Sequence, residues 1–73
     1  MKEFLEGLVV AIDLPNVTEL DPNVSFCSIP DFDSLATLGV MTFCEIEYDK
    51  PIQGQWLWDN NITPQQLFDH VNS

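Results

Sequence analysis

From Ser34 to Cys44 the chain carries neither a charged residue nor a proline, and acids close this stretch at both ends, Asp33 and Glu45. Its length exceeds that of a usual strand. It predicts a helix that starts at an Asp33 cap, runs through Leu35, Leu38, Met41 and Cys44 towards Tyr48, and stops before Pro51. With Val40, Phe43 and Ile46 added, the helix is apolar nearly all round, as in a buried helix or one that also offers a contact face. Alternation of Cys44, Ile46 and Tyr48 with Glu45 and Glu47 is a competing strand signal, outweighed by the length of the capped segment.

The rest of the chain is read around this element. Phe4, Leu5, Leu8, Ala11 and Ile12 recur at helical spacing, with Glu3, Glu6 and Asp13 opposite, so Lys2 to Leu14 is an amphipathic helix that Pro15 ends. Asn16 to Asp33 shows turn chemistry at Asp21-Pro22-Asn23 and Ile29-Pro30-Asp31, which predicts a long loop crossing the bundle and pinned by Phe26. Gln53 to Asn61, with Trp56-Leu57-Trp58, is read as one short helical turn. Thr63-Pro64-Gln65-Gln66 is a helix start: Thr63 the cap, Pro64 the first helical position, Gln66 bonding back, with Leu67, Phe68 and Val71 as the inner stripe. The expected fold is all-α, a small bundle of three to four helices with a long first loop, in a single domain over 1–73.

Charge excludes several functions. Two basic against twelve acidic residues give a net charge of −10, which repels phosphate backbones and anionic lipid. Neither nucleic-acid binding nor membrane insertion is expected, because the longest strictly apolar run, Leu8 to Ile12, is far below the roughly 18 residues a span needs. The acidity serves solubility or steers a partner with a basic docking surface. Cys27 and Cys44 lack a C-x-x-C spacing, and His70 is the single histidine, so neither a disulfide framework nor a zinc site is suggested. Two free thiols and a cytoplasmic location are expected. A nucleophile pair of Cys27 or Cys44 with His70 has the right residue types and no supporting local signature.

Asp33-Ser34-Leu35 opening the second helix, the long first loop, Phe26 upstream, Glu45-Ile46-Glu47-Tyr48-Asp49 at the helix end and Ile62-Thr63-Pro64 before the last helix together resemble the acyl carrier protein family, including its peptidyl and D-alanyl relatives. The resemblance covers nearly the whole chain. It implies a non-enzymatic monomer in which Ser34 carries 4'-phosphopantetheine, Asp33 helps orient the metal of the modifying phosphopantetheinyl transferase, and Leu35 packs under the attachment point. An acyl or aminoacyl group would ride as a thioester to loading and transferring enzymes of lipid, fatty-acid, polyketide or peptide-type biosynthesis. Leu38, Met41, Glu45 and Glu47 are the expected partner contacts. The helix N-terminus suits a phosphodiester, because free N–H groups and the dipole favour an anion there.

Three departures from the family pattern modify the expectation. Ile29-Pro30-Asp31-Phe32 lacks the glycine common before the serine, and Ala36 and Gly39 stand where the family usually has acids. Gly39 inside a helix costs about 1 kcal/mol relative to Ala, which calls for close backbone approach by a partner or a neighbouring helix. Trp56 and Trp58 are expected to narrow the cleft beside the second helix and so to favour a short or polar cargo. A small acidic adaptor without a prosthetic group is the competing reading.

Overall fold

Two antiparallel helices meet at glycine, and this contact organises the molecule. A computed structural model describes residues 1–73 and gives four helices: α1 (Lys2–Ile12), α2 (Ser34–Tyr48), α3 (Gly54–Asp59) and α4 (Pro64–Val71). No strand forms, so the strand signal at Cys44 to Tyr48 is overridden by the helix. A β-carbon on Gly39 would collide with the backbone carbonyl of Ala11, and one on Gly7 would sit 2.5 Å from the Phe43 ring. The close approach anticipated for Gly39 is therefore supplied by α1, within the same chain.

The helix limits follow local chemistry. Helix α1 ends at Ile12, two residues short of the expected Leu14. Asp13 takes a left-handed conformation, φ 51°, and its N–H reaches Val9 O, while the residue before a proline is pushed out of the helical region. Asp33 caps α2 by accepting from Ala36 N–H at 3.1 Å. At α4 the complete capping box is present: Thr63 Oγ1 accepts from Gln66 N–H at 3.1 Å and Gln66 Oε1 accepts from Thr63 N–H at 3.0 Å.

The core is built from Phe4, Leu8 and Ile12 of α1, Ala36, Val40 and Cys44 of α2, Leu57 of α3, and Leu67 and Val71 of α4. Phe4 lies at the centre of an aromatic cluster with Phe43, Tyr48 and Phe68, at ring separations of 5.7, 5.5 and 5.1 Å. The long loop is pinned as expected: Phe26 is fully buried in a 3₁₀ turn (Phe26–Ser28), and its N–H donates to Ile62 O at 3.0 Å. Gln65 N–H donates to Pro22 O at 3.1 Å, so the loop is also fastened to the start of α4.

Candidate functional site

Ser34 is the first residue of α2 and is exposed. Ala36 N–H is taken by the Asp33 carboxylate and Thr37 N–H by the Asp33 carbonyl at 2.9 Å, leaving the Ser34 and Leu35 N–H groups as the open donors of the helix end. The preceding turn is closed by Phe32 N–H donating to Ile29 O at 3.2 Å, and it needs a left-handed residue, which Asp31 provides at φ 66°. Aspartate tolerates that region better than most residues. The stretch that lacks a glycine thus contains the backbone conformation glycine favours.

A relay of hydrogen bonds holds this helix start against α3. The buried Thr37 hydroxyl donates to Asp33 O at 2.8 Å and accepts from Trp58 Nε1 at 3.0 Å. Phe32 is buried between Phe26 and Trp58, with ring centroids 5.7 and 5.6 Å away. Trp58 itself stays 41% exposed, so an aromatic edge borders the turn that carries Ser34. Trp56 does not join it. Its ring lies 4.6 Å from that of His70 on α4, because a spacing of two on a helix turns side chains about 200° apart. The expectation of two indoles narrowing one cleft is corrected: only Trp58 lies against α2, where it is bonded into a closed seam.

The predicted site residues separate into groups. Leu35 does not pack under Ser34. It is 78% exposed, since the register that buries Ala36, Val40 and Cys44 turns Leu35 to the opposite side. Leu38 is exposed and Met41 half-buried, with Met41 Sδ leaning towards Gly54 of α3, and Glu45 continues the Leu38 stripe two turns on. Glu47 stands apart from these three, at the α1 side beside Gly7 and Phe43.

The surface that sequence reasoning missed lies between α1 and α2. A groove of about 630 Å³ has Gly7, Ala11 and Gly39 along it and Val10, Leu35, Leu38 and Ile46 beside them. Val10 is 78% exposed, Ile46 72% and Leu38 55%. The available signal was Val10 itself, an apolar residue among Glu6 and Asp13 on the outer face of α1.

Burial holds both thiols above their ordinary pKa. Both are free; Cys44 is fully buried and burial pushes its pKa up to about 11, while Cys27, also raised by desolvation, points its Sγ at Leu57 O at 3.7 Å. No cluster of His, Cys, Asp or Glu is arranged to hold a metal, and no helix is long and apolar enough to cross a membrane. No family model, curated protein or solved structure matches the chain.

Proposed function

We propose that the chain is a carrier protein, not itself an enzyme, that bears a 4'-phosphopantetheine arm on Ser34. The observation behind this reading is the combination at one point of an exposed hydroxyl, two open N–H donors and a helix start braced from behind by Asp33, Thr37 and Trp58. A phosphodiester on Ser34 would lie where the helix end favours negative charge. Asp33 engages Ala36 N–H through Oδ1, so its second oxygen is available to help orient a metal brought by the transferase. The arm would supply a terminal thiol that holds an acyl or aminoacyl group as a thioester. Leu38, Met41 and Glu45 would meet the loading and transferring enzymes on the side of α2 next to the arm.

The test is modification with a broad-specificity phosphopantetheinyl transferase and coenzyme A, read by intact mass. The wild-type chain is expected to gain one arm and Ser34→Ala none. An unchanged mass for the folded wild-type chain overturns the carrier reading. The second reading, an acidic adaptor with no prosthetic group, is favoured by the exposed apolar groove on α1 and α2, which needs nothing attached to Ser34.

A further inference from the structure

The groove between α1 and α2 is apolar along its length and acidic along its borders. Leu35 and Ile46 mark its ends on α2, eleven residues apart, which at 1.5 Å per residue is about 16 Å, or three turns of a partner helix. Glu6 lies one turn before Val10 on the exposed side of α1, and the exposed Asp13 follows at the C-cap of the helix. On α2 the exposed Glu45 follows the groove residue Leu38 by two helical turns on the same stripe, which sets it along that edge, and Glu47 closes one end opposite Glu3. Lys2 and Lys50 are the only basic side chains of the Lys and Arg type in the sequence.

We propose that this groove is the docking site for an amphipathic helix of a partner protein, with an apolar stripe at helical spacing and lysine or arginine on both flanks. Three features select that occupant. The small residues Gly7, Ala11 and Gly39 leave room between exposed apolar side chains, which suits a helix laid into a groove. The acids on both borders complement basic flanks and repel anionic lipid or nucleic acid. A second copy of this chain would bring another net charge of −10 to an acidic border, which disfavours self-association. The proposal is independent of any group on Ser34, since neither the groove nor its charge involves the serine hydroxyl.

The experiment uses the unmodified chain and three synthetic peptides of about four helical turns. The first has a leucine stripe flanked by lysines, the second the same stripe flanked by glutamates, and the third the composition of the first with the leucines scattered so that no stripe forms. Titration by calorimetry and amide chemical shifts is expected to show the first binding at least about tenfold more tightly than the others, with shifts along Val10, Leu38 and Ile46. The double variant Val10→Ser with Ile46→Ser removes side chains that are already exposed and keeps the fold, which the melting curve verifies. It is expected to weaken the first peptide about tenfold or more. Failure of the first peptide to bind, equal binding of the first and third, or no effect of the double variant overturns the proposal. So does a doubling of molecular mass in the peptide-free protein that the double variant abolishes, which would assign the groove to a second copy.

Discussion

Trp58 Nε1 donates to Thr37 Oγ1 at 3.0 Å, joining α3 to the first turn of α2 across 21 residues of sequence. The same hydroxyl donates to Asp33 O, so the bond from α3 ends on the cap of the helix that presents Ser34. A neutral hydrogen bond of this kind contributes about 1 kcal/mol. Trp58→Phe keeps a ring against Phe32 and loses the donor; Thr37→Val loses the acceptor. In a double-mutant cycle by denaturant unfolding, the coupling is expected to be about 1 kcal/mol. A coupling indistinguishable from zero would show that the relay does not brace the cap.

The two glycines of the α1–α2 contact differ in what surrounds them. At Gly39 the obstacle is the Ala11 backbone, which moves only if α1 moves; at Gly7 it is the edge of the half-buried Phe43 ring. Gly39→Ala is expected to destabilise by about 2–3 kcal/mol although alanine is the better helix former by about 1 kcal/mol. Gly7→Ala is expected to cost less. Thermal and denaturant unfolding give the ranking, and a more stable Gly39→Ala variant would contradict the close helix contact.

Much of this architecture is local chemistry and was therefore legible before the structure. Thr63, Pro64 and Gln66 specify the start of α4 by themselves, and Asp33 does so for α2. Outward and inward faces of α2 were not legible, because a stretch without charge has no polar side to mark; the packing of Leu35 under Ser34 is implied by the family resemblance alone, and Leu35 is exposed instead. The oddity of Gly39 was visible in the sequence, but its neighbour Ala11 is a tertiary fact. The separation of Trp56 from Trp58 follows from helical geometry once Gly54–Asp59 is a helix, so that correction was within reach.

Cys44 links stability to alkaline pH. Burial raises its pKa from 9.0 to about 11, so the folded chain holds this proton at a pH where the unfolded chain releases it. The sign follows: this contribution is fully present below about pH 9 and is lost as pH rises through about 11. Tyr48 is raised too, first by desolvation and then by neighbouring Cys44, Glu47 and Glu3, and acts in the same direction. Cys27, raised by desolvation, adds to it, so denaturant unfolding across this range is expected to show falling stability, with a shallower fall in Cys44→Ala, which removes one of the three groups. In the native state at neutral pH a thiol reagent should label Cys27 well before Cys44. Equally rapid labelling of both would contradict the burial of Cys44.

The seam between α2 and α3 bears on what Ser34 would carry, given the carrier reading. Even a β-carbon on Gly54 would come within 2.8 Å of Thr37 Cγ2 and 3.2 Å of Met41 Sδ, and Trp58 is bonded to Thr37 beside it. None of the surface depressions is lined from both α2 and α3. An acyl chain on the arm would have to separate the two helices and break the indole bond to enter. We therefore expect the cargo to stay outside this seam, which favours a short or polar group. Burial would be easy to see: at about 0.8 kcal/mol per methylene and about 4–8 °C per kcal/mol for a domain of this size, two buried methylenes would raise the melting temperature by about 6–13 °C. The measurement compares the uncharged arm, a medium-length fatty acyl group and a short aminoacyl group on Ser34, by melting temperature and tryptophan emission. All three are expected to coincide. A rise of that size with a shift in emission for the fatty acyl form alone would show that the seam opens around the chain, and would reject the short-cargo assignment while leaving the attachment at Ser34 intact.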